Sequence, residues 1–191
     1  MNIQQVFAEH AAVMQAAAAT LPSSLEDATR TLQECLESRG KVLACGNGGS
    51  ASAAQHLVAE LVCRFRDDRH ALAGVSLTAD TMTLTAIGND YGYERVFARQ
   101  VEALGAPGDV LVAISTSGNS RNVLAAAKVM RSVGGKVVAL TGMDGGELAT
   151  CADVVLRAPS RVVARIQEVH DVCIHVMAEA LEENARRTGK S

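Results

Sequence analysis

Aromatic residues are nearly missing: the 191-residue chain has two Tyr, three Phe and no Trp. A core without large rings has to be filled by Ala, Val, Leu and Ile, small side chains that let helices approach sheets and one another closely. Cysteine pairing is also missing. The five cysteines, Cys35, Cys45, Cys63, Cys151 and Cys173, are odd in number and form no CxxC or CxxxC pair. This argues against a disulfide framework and a thiolate zinc site, and the residues read as small buried hydrophobes in a reducing cytosol. No run of like charge exceeds a few residues, and 18 basic against 21 acidic residues leave a net charge of −3. Such a chain carries no basic footprint for nucleic acid or an anionic membrane. No apolar stretch is long enough to span a bilayer, and the start, MNIQQVFAEH, lacks the basic residues and apolar run of a signal peptide. The expectation is a cytoplasmic protein.

What is present has the profile of a soluble globular domain: 48% apolar and 20% charged residues. There is no internal repeat, linker or low-complexity segment, so one domain over residues 1–191 is expected, with a helical segment over about 1–38 and a core over about 39–186. Residues 2–19 are helical in pattern and rich in alanine, and Pro22 interrupts them. Ser23 or Ser24 can cap a second helix reaching about Ser38. Residues 41–45 (KVLAC) are a short apolar run beside glycines, the texture of a buried strand. Four more candidate strands follow at 71–77, 110–114, 136–140 and 153–156. Helical patterns lie between them at 50–65, 80–87, 93–104 and 119–133, and a long helix closes the chain at about 161–186. Strand–helix alternation predicts an α/β fold, a parallel sheet with helices on both faces. Three helices beyond what a small sheet needs imply that some of them pack against another subunit.

Two segments suit an anionic ligand. The first, CGNGGSASAAQHLVAEL (45–61), passes from a strand through a glycine-rich turn into a helix. Gly46, Gly48 and Gly49 let backbone approach a ligand, and the free N–H groups of a helix start favour an anion. The turn is neither a Walker loop nor a clean GxGxxG, and by itself it could equally be a tight connection. The second, ISTSGNS (114–120), places the hydroxyls of Ser115, Thr116, Ser117 and Ser120 after a strand end and before a helix. Four hydroxyls exceed what an ordinary N-cap uses, and they suit a phosphate monoester. A third set joins distant segments. His56 and Glu60, four apart, share one helix face, and Gln167 and His175, eight apart, lie on roughly one stripe of the last helix. An i, i+4 His/Glu pair with a second His could bind zinc, or could be a solvated hydrogen bond. His170 points elsewhere, about 140° round the helix from His175 at roughly 100° per residue, as expected of a supporting or subunit-contact residue. His10 and His70 have no partner pattern and read as surface.

GNGGS, STSGNS, LTAIGNDYGYERVFARQV (84–101) and RIQEVHDVCIH (165–175), in that order and at compatible spacing, resemble the SIS (sugar isomerase) family and, within it, the phosphoheptose isomerases. The resemblance covers about residues 32–182. It implies a three-layer αβα sandwich with a five-stranded parallel sheet, usually a homotetramer. The implied reaction is isomerisation of sedoheptulose 7-phosphate to D-glycero-D-manno-heptose 7-phosphate, the first step towards the heptose of lipopolysaccharide cores. By position, Ser115, Thr116, Ser117 and Ser120 would hold the phosphate of this seven-carbon sugar. Asn47, Gly48, Gly49, Ser50, Asn89 and Asp90 would contact the sugar, and Arg64 the substrate or a neighbouring subunit. His56, Glu60, Gln167 and His175 would form the zinc and catalytic cluster, with Glu60 as C–H base, His175 as oxygen-side acid and Gln167 also a substrate contact. No nucleotide cofactor is implied. Two departures affect the surroundings of the site: Ala53 stands where many members of the family carry Asp, and Ala164 where some carry an acidic residue.

Three rivals are open to the sequence. A paralogue group binds the bacterial replication initiator and lacks the residues matching Glu60 and His175, both of which this chain keeps. Other sugar-phosphate enzymes of the family commonly carry extra domains or lack the RIQE.H....H ending. A nucleotide-binding Rossmann protein would need an acidic residue after its second strand, where this chain has Thr78 and Ala79.

Overall fold

The computed structural model describes residues 2–189. Five strands, β1 (Val42–Gly46), β2 (Gly74–Ser76), β3 (Val110–Ser115), β4 (Lys136–Thr141) and β5 (Val154–Arg157), form one parallel sheet in the order β2-β1-β3-β4-β5. Register is continuous through the centre: Val42 pairs with Val110 and Gly46 with Ile114, while Val110 pairs with Lys136 and Ser115 with Thr141. The β1 and β3 side chains are all buried, as an unbroken apolar run predicts for strands covered on both faces. Alternate residues go to opposite layers. Val42, Ala44, Val112, Ile114, Val138 and Leu140 join a core built with α1 (Ile3–Thr20), α2 (Pro22–Glu37), α3 (Gly49–Val62) and α8 (Val163–Thr188). Leu43, Cys45, Leu111, Ala113, Val137 and Ala139 join a second core with α5 (Ala98–Leu104), α6 (Arg121–Ser132) and α7 (Leu148–Cys151). The remaining helix, α4 (Thr81–Tyr91), has no buried residue. The αβα sandwich expected from the resemblance is therefore the observed architecture.

Several boundaries differ from the sequence reading. The second strand is three residues rather than seven, because 63–72 form a loop held by buried side chains described below, and only Gly74–Ser76 reach the ladder. The helix expected over 50–65 stops at Val62, since Cys63 leaves the helical region at φ −87°, ψ −95°. The 93–104 helix is split into a 3-10 turn at Tyr93–Arg95 and α5. Neither Ser23 nor Ser24 caps α2: Pro22 occupies its first turn with Leu21 at the cap, and the Ser24 hydroxyl donates to the Leu21 carbonyl at 3.0 Å. Three cysteines are buried, whereas Cys63 is exposed and Cys151 half-buried, and all five are free thiols. Among the described residues no helix is long and apolar enough to cross a membrane.

Candidate active site

The strand order reverses direction at β1 and β3. From β1 the chain turns into α3, and from β3 it turns into α6, on the opposite layer. The two turns therefore diverge at the carboxyl ends of neighbouring strands and leave the crevice where open α/β sheets bind ligands.

On the β3 side, Ser115 is buried at 3% exposure, and its hydroxyl lies 3.0 Å from the Ser120 hydroxyl. Ser120 occupies the N-cap position of α6, yet no side chain caps this helix. Its hydroxyl is thus not used as an ordinary cap, and the helix start faces the crevice with its N–H dipole. Gly118 has φ +67°, and a Cβ there would stand 2.0 Å from the Gly145 carbonyl oxygen. The loop is fixed to residues 142–148 by Gly142 N–H to Thr116 O (3.0 Å) and Leu148 N–H to Gly118 O (2.9 Å). Asn119 adds a side-chain link, accepting from Glu147 N–H at 3.0 Å. The Ser117 hydroxyl accepts from Asn119 N–H at 3.1 Å. A cleft of about 330 Å³ opens beside Thr116 and Ser117, walled by Asp144, Ser160 and Arg161. The two larger cavities, about 730 and 840 Å³, lie at the amino ends of the strands and between α1, α2 and α8, and no candidate site residue lines either.

On the β1 side, Gly48 takes φ +56°, ψ −123°, a conformation only glycine adopts readily, and starts α3. Gly49 is required for a different reason: a Cβ would lie 2.5 Å from the Gln167 Nε2, so the Gln167 carboxamide rests directly on the glycine turn. Asn47 is joined to Asn122, a residue the sequence reading passed over. Asn47 Nδ2 donates to Asn122 Oδ1 at 2.9 Å, and Asn122 Nδ2 donates to Asn47 Oδ1 at 2.8 Å. Tyr93 O–H donates to the same Asn47 Oδ1 at 3.0 Å. This carboxamide pair spans the crevice and ties the glycine turn to the first turn of α6. Asn122 is 3% exposed, and its signal in sequence was only a polar residue on the buried face of an amphipathic helix.

The third element is the contact between α3 and α8. His56 Nε2 lies 3.1 Å from Glu60 Oε1 and 3.3 Å from His175 Nε2. The two imidazoles meet edge to face at 4.9 Å, and the Phe65 ring flanks His175 at 5.5 Å. Three atoms with lone pairs so close together need a shared proton or a cation between them. Among the described residues, no group of three His, Cys, Asp or Glu side chains is arranged so that it could hold a metal ion. Of the two spacings, the 3.3 Å between the imidazole nitrogens matches two ligands of one tetrahedral zinc, whose bonds of about 2.0–2.2 Å set ligand atoms roughly 3.3–3.6 Å apart, whereas the 3.1 Å from His56 to Glu60 is a hydrogen-bond distance. Imidazole nitrogen and carboxylate oxygen are donor types that zinc takes.

Of the other candidates, Ser50 is buried beside Gly46, Arg64 is exposed near the end of α3, and Thr116 is half-buried. Asn89 and Asp90 are exposed and hydrogen-bond each other at 2.8 Å. The structure decides between the two expectations for His170 and corrects the one for His10. His170 is no subunit contact: it is 1% exposed, with Nε2 3.0 Å from the Thr141 carbonyl at the end of β4, so it props α8 against the sheet. Burial holds its pKa below the usual imidazole value despite that bond, so Nε2–H is the donor of a neutral ring. His10 has a partner: its Nδ1 is 2.7 Å from Glu168 Oε2, and Glu168 Oε1 pairs with Arg165 at 2.6 Å, pinning α1 to α8.

The SIS domain family profile matches residues 5–142. A phosphoheptose isomerase of Helicobacter pylori (strain P12) is 48% identical over 182 residues, 95% of each chain. One of Laribacter hongkongensis is 49% identical over 179 residues, 92% of this chain and 91% of the relative. Among solved structures, a phosphoheptose isomerase from Neisseria gonorrhoeae superposes with a TM-score of 0.90 at 47% identity, covering 95% of this chain and 97% of that one. One from Francisella tularensis gives 0.92 at 39% identity, covering 95% and 96%.

Proposed function

Because the chain belongs to the SIS domain family and to its phosphoheptose isomerases, we propose that it converts D-sedoheptulose 7-phosphate to D-glycero-D-manno-heptose 7-phosphate. The carrying observation is the convergence of Glu60 and His175 on His56 at 3.1 and 3.3 Å where α3 meets α8, in a chain that also sets the Ser115 and Ser120 hydroxyls at the uncapped start of α6. An aldose–ketose isomerisation moves a proton between neighbouring carbons through an enediol. It needs a base for the C–H proton and an acid that serves the two oxygens. Glu60, with its side chain 20% exposed, takes the C–H proton and returns it to the adjacent carbon. His175 protonates one oxygen as the enediol forms and takes the proton from the other as it collapses. Ser115, Thr116, Ser117 and Ser120 and the start of α6 hold the phosphate dianion and so fix which carbon faces Glu60. Asn47, Gly48, Gly49, Ser50, Asn89, Asp90 and Arg64 bound the sugar. The product feeds heptose synthesis for the lipopolysaccharide core.

His56, Glu60, His175 and the Gln167 carboxamide would hold one zinc ion per subunit. When bound it supplies Lewis-acid stabilisation of negative charge on the enediolate oxygens. The assembly is a homotetramer in the cytoplasm. What supports it is apolar surface left open: Ile3 is 63% and Phe7 71% exposed on α1, and Val172 and Val176 on α8 are 47% and 42% exposed. The test is purified protein with sedoheptulose 7-phosphate, the product read by NMR, beside elemental analysis after refilling with zinc. A heptose 7-phosphate product supports the reading and its absence ends it. Protein that holds no zinc reduces the cluster to acid, base and hydrogen-bonding groups. A monomer in light scattering at micromolar concentration would refute the tetramer.

A further inference from the structure

The groups assigned to proton transfer sit on two separate helices, His56 and Glu60 on α3 and Gln167 and His175 on α8. Something must set the separation of those helices at the end where the cluster lies. The loop 63–70, which leaves α3 and packs on α8, folds around two charged side chains that solvent hardly reaches: Arg69, 2% exposed in its side chain, and Glu182, 5%.

Glu182 lies on α8, seven residues beyond His175 and so two turns along the same helix. Its carboxylate accepts three successive backbone N–H groups: Phe65 at 2.7 Å, Arg66 at 2.9 Å and Asp67 at 2.9 Å. Arg69 works on the other helix. Its guanidinium donates to the carbonyls that end α3, Glu60 at 2.5 Å, Leu61 at 2.7 Å and Cys63 at 3.2 Å, and to His70 O at 2.9 Å. Its Nε stands 3.9 Å from Glu182 Oε2 and has no hydrogen-bond partner. One side chain therefore grips the main chain of Glu60 itself. The other grips the main chain of Phe65, whose ring lies against His175. Exposed ion pairs from the same loop to α8, Arg66–Glu179 and Asp67–Arg186, are weaker links in water.

We propose that Arg69 and Glu182 are positioning residues for the isomerase, a buried latch that holds α3 and α8 at the separation at which Glu60, His56 and His175 meet. The inference rests on the functional reading above for its catalytic consequence but not for its structural one. Burial pushes the Glu182 carboxyl up, and the three N–H donors with Arg69 outweigh it, holding its pKa below the usual range. The latch is accordingly closed and charged at neutral pH. Neither residue touches the crevice, so the latch acts on the proton-transfer groups and leaves the phosphate loop alone.

The test compares Glu182→Gln and Arg69→Lys with Asp67→Asn, which removes only an exposed ion pair. Three readouts are taken: kcat and KM with sedoheptulose 7-phosphate, amide exchange at 65–67, and the imidazole ring NMR signals of ligand-free protein. Both latch variants should lower kcat by about 10–100-fold, as loss of a ligand-orienting partner does, with KM changed by less than about threefold. The His56 and His175 ring signals should move and the 65–67 amides exchange faster, while Asp67→Asn stays near wild type. If the amides loosen but kcat and both ring signals stay at wild-type values, the pair is a loop anchor only and the proposal is overturned. Should Glu182→Gln fail to fold, Arg69→Lys, which keeps the charge and loses the fork, decides by the same readouts. If the wild type does not isomerise the sugar, the functional reading falls, and the ring signals still decide the latch.

Discussion

At the phosphate end of the crevice, main chain is packed on main chain. Gly118 leaves no room for a Cβ against Gly145, Thr116 and Gly118 are bonded to 142–148, and the adjoining strand β3 is fully buried. At the proton-transfer end, side chains on two helices converge, and their approach depends on Arg69, Glu182, and Gln167 lying on Gly49. The first end is a rigid anchor set by the sheet. The second can change its fit without changing the fold. An isomerase benefits from that division. Anchoring the phosphate needs only a fixed anion site, whereas moving a proton between carbons needs donors and acceptors tuned to tenths of an ångström.

The sharpest way to separate the two ends is Glu60→Gln. It is nearly isosteric, so melting should hardly move, while kcat falls about 10²–10⁴-fold. A variant keeping more than about a tenth of wild-type turnover would remove Glu60 as the base. Next come two glycine changes of opposite kind. Gly118→Ala meets backbone at 2.0 Å from φ +67° and should lose at least about 2 kcal/mol of stability in chemical denaturation. Gly49→Ala meets only the movable Gln167 carboxamide at 2.5 Å. It should keep or raise stability, since Ala suits a helix better than Gly, while activity falls about tenfold. If both variants behave alike, the contrast between a backbone-built and a side-chain-built end is wrong.

A smaller effect is expected from Ser117→Ala with Ser120→Ala. Binding of a non-reactive sugar phosphate, read by calorimetry, should weaken by roughly 1–3 kcal/mol, with metal content unchanged. Unchanged affinity would show that these hydroxyls do not hold the phosphate. The smallest effect is on stability against pH. His170 and Glu182 both have depressed pKa values in the folded protein, so the unfolded chain binds protons first. Stability should be full near pH 7, decline below about 6.5 as the unfolded imidazole charges, and decline again below about 4.3. Denaturation midpoints across that range check it, and His170→Gln should flatten the upper step alone.

The anchor end was legible in the sequence because its chemistry is local. Glycines and hydroxyls within 115–120 and 46–50 stand directly after apolar strands, and the strands fix where they fall. His56 and Glu60 were legible as a pair for the same reason, four residues apart on one helix. That His175 joins them depends on how α3 packs on α8; the residue types suggested a set, and the resemblance to a family made it one cluster. The latch was invisible: Arg69 and Glu182 sit in a run of charges and near the end of a polar helix face, where sequence suggests solvent. Asn122 was hidden similarly, since nothing near it in the chain announces a carboxamide partner 75 residues away. β2 shrank because residues 63–72 answer to those buried charges rather than to the sheet.

The order β2-β1-β3-β4-β5 has a consequence for how the molecule is made. β1 is an interior strand and fully buried, yet the neighbour on its inner side, β3, starts 64 residues later in the chain, at Val110 against Gly46. At synthesis rates of about 5–20 residues per second, β1 waits roughly 3–13 seconds for that partner. During this interval its VLACG edge is a bare apolar strand with only a three-residue β2 to pair with. Nascent chains are then exposed to mispairing with one another, so crowded expression should yield aggregates that start from residues 42–46 rather than from the active-site loops.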